Sequence, residues 1–203
     1  MKNNKIRTVT ASMLILLSGC ASYHASSLSM LPEESGIEST QSSKVLVSWK
    51  AFDKKECKTY LGRDVLSEGF VPVQFTIRNN SNDPMYLSPS NFNKPLSPVN
   101  QVANTVHTNT SGRVAAWGVG GLFFFPLLVP AFVDGIKSLH ANEALDADYE
   151  GKALKEQTIQ PHSSFNGVVF IPKESAGEKI EMFLVNLTTN EKVAFSEIPL
   201  DQR

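Results

Sequence analysis

Cysteine is scarce in this chain: Cys20 and Cys57 are the two among 203 residues. A disulfide framework of the kind that staples small secreted domains is therefore excluded. The four histidines, His24, His107, His140 and His162, are scattered, and neither an H-E-x-x-H nor a C-x-x-C spacing occurs. No metal site is expected from such a pattern. There is no G-x-S-x-G, so a serine hydrolase of the elbow type has no support. The glycine-rich Trp117-Gly118-Val119-Gly120-Gly121 lacks the Lys-Ser/Thr that a phosphate loop requires, and close helix packing is its plainer use. Basic runs are missing as well. With 19 basic and 20 acidic residues, the net charge is −1, which argues against nucleic acid and against electrostatic binding to acidic lipid. No cofactor, no metal and no catalytic residue is expected, and the chain reads as a non-enzyme.

One acidic cluster carries part of a calcium-binding pattern. Asp146, Asp148 and Glu150 alternate before Gly151, like the opening of an EF-hand loop, but position twelve of that loop is Gln157 rather than a bidentate Glu. A solvated acidic helix face is the better reading. The acceptor-like triplets at Asn79, Asn109 and Asn186 are read as turns and exposed loops rather than glycan sites.

What is present begins at the amino terminus. Lys2, Lys5 and Arg7 precede a nine-residue apolar core, Val9–Leu17, and Leu17-Ser18-Gly19 follows as a small-residue exit. Nine helical residues cover only ~14 Å of an ~30 Å hydrocarbon layer, so this is the layout of a secretion signal rather than a spanning helix. The sequence Leu17-Ser18-Gly19-Cys20 resembles the lipobox of bacterial lipoproteins. That resemblance implies cleavage after residue 19 and acylation of Cys20, with palmitate-like chains as a stable membrane anchor. Ala21, in place of the Asp that retains such proteins in the inner membrane, implies the outer membrane, with the domain facing the periplasm. Loss of residues 1–19 moves the net charge to about −4. With Cys20 acylated, Cys57 has no partner in the chain. It is then a buried small residue, a disulfide to another protein, or a reactive thiol.

Residues 20–43 carry eight serines and no sustained periodicity, and are expected to form a lipidated flexible tether. Strand patterns begin after it. Val45, Val47 and Trp49 alternate within 44–52; Val71, Val73, Phe75 and Ile77 alternate with Pro72, Gln74 and Thr76 ahead of a turn at Asn79–Pro84. Met85–Leu87 is a short strand, and residues 88–100 are irregular, with three prolines. The pattern returns at 163–173, 179–187 and 192–200, the last two joined as a hairpin. Short alternating strands divided by turns indicate a mainly β protein and an antiparallel β-sandwich spanning 44–203. Ile77-Arg78-Asn79-Asn80-Ser81 and Pro161-His162-Ser163-Ser164-Phe165-Asn166-Gly167-Val168 resemble the strand ends and strand starts of immunoglobulin-like domains in bacterial lipoproteins. The resemblance covers about 44–100 and 157–200 and implies an immunoglobulin-like sandwich with an apolar, helical insertion at about 102–156.

Within that insertion, Val114–Val133 is twenty residues without a charge. Its length just suffices to span a bilayer, but Pro126 and Pro130 interrupt it, and the half before Phe125 covers only ~18 Å as a helix. Three uses stand open: a hairpin packed on the domain's own sheet, a hairpin dipping Trp117, Phe123, Phe124, Phe125 and Phe132 into the leaflet or a partner, and a spanning or oligomeric segment. Beyond it, residues 132–157 are expected to form an amphipathic helix, wet on one side, with Ile136, Leu139 and Leu145 among its apolar positions. The expected function is a lipid-anchored, non-enzymatic binding or assembly module of the cell envelope. It would have an envelope protein as partner and the membrane as its support. A carrier of lipid or another apolar ligand is the alternative.

Overall fold

The computed structural model describes residues 22–33, 36–38, 44–108, 128–177 and 179–200, without the side chains of 36–38, 128–136, 196, 197 and 199. The chain divides into two compact units, one of residues Met1–His24 and His107–Leu145, the other of Ala25–Val106 and Asp146–Arg203.

The second unit is mainly β. One sheet has the order β1 (Gly36–Glu38), β2 (Val45–Ala51), β3 (Phe70–Asn79), β6 (Ser163–Pro172); the other has β5 (Gln157–Ile159), β4 (Met85–Leu87), β7 (Lys179–Asn186), β8 (Lys192–Pro199). All paired neighbours are antiparallel. Strands β2, β3, β4, β6, β7 and β8 fall on the alternating runs of the sequence, because each such run has one apolar face to bury. Val45, Val47, Val73, Phe75 and Ile77 from the first sheet meet Met85, Leu87, Ile180, Leu184, Val193 and Phe195 from the second in one core. Phe75 meets the ring of Phe92 edge to face at 5.4 Å between centroids. Burial of each such side chain contributes about 1.5–3 kcal/mol. The β7–β8 hairpin closes with Asn190 at φ 60, a left-handed position that Asn tolerates.

Helices join the strands. Helix α1 (Lys54–Tyr60) follows β2 and starts from a capping box: Glu56 N donates to Asp53 Oδ1 at 2.7 Å and Asp53 N donates to Glu56 Oε2 at 3.2 Å. The Asp53-x-x-Glu56 spacing is the sequence signature of such a start. Helix α2 (Val99–Thr105) begins directly after Pro98. Helix α3 covers Leu128–Lys152, taking Pro130 into its first turn, where the missing N–H removes no helix bond. A four-residue helix, α4 (Lys173–Ala176), follows β6. The chain leaving α3 runs against the outer edge of β6, with Leu154 N donating to Val168 O at 2.8 Å. Gly167 permits this approach, since a Cβ there would lie 2.5 Å from the Phe165 ring and 3.3 Å from Lys152 O.

In the first unit, Thr108 and Asn142 pair in both directions: Thr108 N donates to Asn142 Oδ1 at 2.9 Å, and Asn142 Nδ2 to Thr108 O at 3.2 Å. Helix α3 carries the expected amphipathic stripe, with Ser138, Ala141, Leu145, Tyr149 and Lys152 buried at three- and four-residue spacing, but Leu139 lies off it. Leu145 is buried but Leu139 is 55% exposed, and the side chain of Ile136 lies outside the described residues. Six residues advance an α-helix by about 600°, so Leu139 and Leu145 project some 120° apart and cannot share one narrow stripe. No described helix is long and apolar enough to cross a membrane.

Candidate functional site

The two faces of β3 are both buried, but by different chemistry. Val73, Phe75 and Ile77 enter the core, whereas Gln74 and Thr76 face the other way and are 4% and 0% exposed. In the paired register Thr76 stands between Ser48 of β2 and Asn166 of β6. Across this polar row lies an extended strap, residues 25–33. Asn166 Nδ2 donates to Leu28 O (3.4 Å), Gln74 Nε2 to Ser29 O (2.6 Å) and Ser48 Oγ to Pro32 O (2.9 Å). Leu31 N donates to Thr76 Oγ1 at 3.0 Å, the Arg78 guanidinium donates to Leu31 O, and Arg78 Nε pairs with Glu33 at 3.3 Å. Asn166 Oδ1 in turn accepts from Gln74 and Thr76, at 2.8 and 3.0 Å. The strap's carbonyls thus satisfy polar groups that burial would otherwise leave costly.

This corrects the expectation of a flexible tether over 20–43. Its described part is a docked strap at 25–33 and a sheet strand at 36–38 that pairs Ile37 with Val47. A serine-rich segment of low hydrophobicity docks because the sheet recognises its backbone, through side-chain donors, and needs no apolar side chain from it.

The strap also meets helix α1: Ser26 donates its N–H to Thr59 O at 2.8 Å, at the carboxyl end of that helix. A hollow of about 500 Å³ is lined by Ser27, Leu28 and Met30 of the strap and by Ala147, Asp148 and Gly151 of α3. Another, of about 360 Å³, lies between Ala103 and Asn104 of α2 and Asp146, Ala147 and Glu150 of α3. The α3 end is fixed by Lys152, whose Nζ donates to Tyr60 O and to Asp148 Oδ2, both at 2.6 Å. Val99, Asn100 and Glu150 also line an open cleft of about 430 Å³, together with Leu96, Pro98, Ala153, Lys155 and Glu156. An ion pair between Lys155 and Glu150, at 2.8 Å, lies beside it.

Cys57 is fully buried on α1. Burial, assisted by the Asp64 carboxylate, pushes its thiol up to about 12. At neutral pH it is protonated and packed, the environment of an inert cysteine. Tyr149 stacks on Phe170 at 5.8 Å and 11°, and its buried hydroxyl has no partner among the described residues. Burial raises its pKa as well.

Asp146, Asp148 and Glu150 lie on helix α3 rather than in a loop, so successive members turn some 200° apart and cannot converge on a cation. Among the described residues no group of three or more His, Cys, Asp or Glu is placed to hold a metal. His140 is exposed and meets Glu143 at 3.3 Å; His162 is exposed and meets Asn82 at 3.1 Å. The two described triplet asparagines, Asn79 and Asn186, are buried rather than in exposed loops. Asn79 is 0% exposed, its Nδ2 donating to Asp83 O, Ile159 O and Gln160 O; Asn186 is 8% exposed and accepts from Thr188 N and Thr189 N. They tie the loops together from inside, since an Asn amide mimics a backbone turn. Asn109 lies outside the described residues, as do Cys20, Trp117, Phe123, Phe124 and Phe125; Phe132 is on α3 with its side chain outside them. The strap and its polar row carry no sequence signal of their own, because Gln74, Thr76 and Arg78 look like the solvated side of a half-buried strand. Comparison with protein-family models, with curated proteins and with solved structures finds no match.

Proposed function

We propose that this chain is a lipid-anchored protein of the cell envelope whose sandwich serves as a non-enzymatic binding or assembly module. In this reading Cys20 carries acyl chains in the outer membrane and the sandwich faces the periplasm, where an envelope protein is its partner. The apolar run 114–133, with Trp117, Phe123, Phe124, Phe125 and Phe132, touches the membrane or that partner. The observation that carries the reading is Leu17-Ser18-Gly19-Cys20 behind a basic start and a short apolar core. A stably acylated amino terminus holds the domain at a leaflet without a spanning segment.

The strand order supports an immunoglobulin-like version of the sandwich. Lettering β2 to β8 as A to G places A-B-E in one sheet and D-C-F-G in the other. That is the immunoglobulin arrangement with its fourth strand moved from beside E to beside C. The crossings from β3 to β4, β5 to β6 and β6 to β7 each change sheet, as a Greek-key sandwich requires.

The test is mass spectrometry of the amino-terminal peptide together with membrane fractionation. Acyl mass on Cys20, and its loss with release of Cys20→Ser into the soluble fraction, is the expected result; an unmodified Cys20 defeats the reading. Deleting 114–133 is expected to change membrane or partner association while leaving a folded sandwich, and an unfolded product would place that run in the protein's own core instead.

The cleft beside β6 favours one other reading, a carrier of an apolar ligand. Leu96, Pro98, Val99 and Ala153 give it an apolar lining, with Glu150, Lys155 and Glu156 as its charged part. Lipid retained through gentle purification and detected by mass spectrometry would support it, and a ligand-free protein would count against it.

A further inference from the structure

The strap has a direction, and that direction orients the sandwich. Along β3 it passes Gln74 at Ser29, Thr76 at Leu31 and then meets Arg78, so strap and strand run the same way. The strap therefore enters at the Phe70 end of β3. At that end Phe52 N, just before α1, donates to Pro72 O, and Ser26 is held on Thr59 of α1. The other end of β3 leads to Asn79 and the loops it ties, 80–84 and 160–162; Asn186 donates to Asp83 Oδ2 and brings the β7–β8 turn alongside. Ten residues of strand separate these ends, roughly 33 Å.

The distance from the anchor is short. Six residues separate Cys20 from Ser26, a span of at most ~21 Å even when fully extended. Six residues cannot lift Thr59 far beyond that distance from an acylated Cys20, whereas a free 22-residue tether would have let the domain tumble. Helix α1 sits at this point with its charges sorted. Glu56 is paired with Lys50, and Asp64 with Lys54 at 2.9 Å. Lys55 and Lys58, three residues apart and hence on one side of the helix, are exposed and have no acidic partner among the described residues.

We infer that α1 is the membrane-facing surface of the sandwich, with Lys55 and Lys58 meeting the phosphates of phospholipid headgroups and the loops at 80–84, 160–162 and 187–191 pointing away from the membrane. This rests on the acylation of Cys20 proposed above. Each lysine adds a local attraction that the net acidity of the chain conceals, because screening confines it to charges within about 10 Å of the surface.

The chain provides for a clean test, since Cys20 would be acylated and Cys57 is a buried, protonated thiol. A fluorophore is attached to Thr59→Cys or, separately, to Thr189→Cys in the full acylated chain. Each is incorporated in vesicles of phosphatidylethanolamine and phosphatidylglycerol carrying a headgroup quencher. Quenching at position 59 is expected to exceed that at 189 several-fold. Equal quenching, or stronger quenching at 189, overturns the orientation while leaving acylation intact. Absence of acyl mass on Cys20 overturns the anchor and this inference together. Adding Lys55→Glu and Lys58→Glu to the Thr59→Cys chain should lower its quenching in these vesicles and leave it unchanged in phosphatidylcholine alone. No change in the anionic vesicles overturns the headgroup contact.

Discussion

The inner and outer faces of β3 are buried almost equally, yet they are stabilised in opposite ways. Val73, Phe75 and Ile77 contribute through area removed from water, which is indifferent to direction; Gln74, Thr76 and Arg78 contribute through hydrogen bonds to one particular strap in one particular register. The inner face holds the two sheets together. The outer face decides where the amino terminus lies, and with it how far the domain can stand from an anchor.

The largest effect expected is on the inner face. Phe75→Ala removes a ring that is 0% exposed and stacked edge-on to Phe92, and should cost about 3–5 kcal/mol, read from the midpoint of denaturant unfolding. The protein should lose both faces at once, since the strap has no surface to bind when the sheets part. A loss of less than about 1 kcal/mol would mean that the two sheets do not share this core.

The outer face should break separately and more gently. Gln74→Ala leaves Ser29 O without its donor and Asn166 Oδ1 with one fewer, at a cost of about 1–3 kcal/mol. Combined with Asn166→Ala it should free the strap, so that limited proteolysis cuts within 26–33 while the sandwich still unfolds cooperatively. Unchanged protease resistance in the double variant would show that the row does not hold the strap. Stability lost as heavily as in Phe75→Ala would show that the two faces are one unit.

The same contrast explains what is legible in the sequence. Alternation at Val71–Ile77 and 163–171 exposes an apolar face directly, because period-two patterning follows from the pleat. Gln74, Thr76 and Ser48 are read as solvated because they are polar, and only the fold discloses that a distant segment covers them. The docking of residues 25–33 has no periodicity of its own, since backbone carbonyls carry the recognition and every residue has one. Helix α1 is announced only by Asp53-x-x-Glu56, and β5, three residues long, is too short to show a period. The candidate membrane side emerges only from the hydrogen bond of Ser26 to Thr59, a contact between residues far apart in sequence that no local pattern encodes.

Between the two chemistries stands Tyr149, a polar atom in apolar company. Its ring stacks on Phe170 while its buried hydroxyl has no partner among the described residues. Tyr149→Phe keeps the ring and removes the unsatisfied group, and should be neutral or stabilise by up to about 1–2 kcal/mol. A clear loss of stability would reveal a hydrogen bond to this hydroxyl and move Tyr149 to the polar side of the comparison.

The smallest effect is a change of slope at alkaline pH. Burial raises the Cys57 thiol from its ordinary 9.0 to about 12, so the folded chain keeps a proton that the unfolded chain releases. Where the native state binds more protons, stability falls as pH rises. The contribution of Cys57 is therefore fully present below about pH 9 and is lost progressively as pH climbs from 9 towards 12. Tyr149 is shifted upward too and weakens the fold in the same alkaline range, so the measurement belongs in the Tyr149→Phe background. There, Cys57→Ala should lower the unfolding midpoint modestly at pH 7 and flatten its decline above pH 9. Unchanged steepness would mean that the thiol ionises as readily in the folded protein as in the unfolded one, which would make Cys57 a reactive group rather than a packed one.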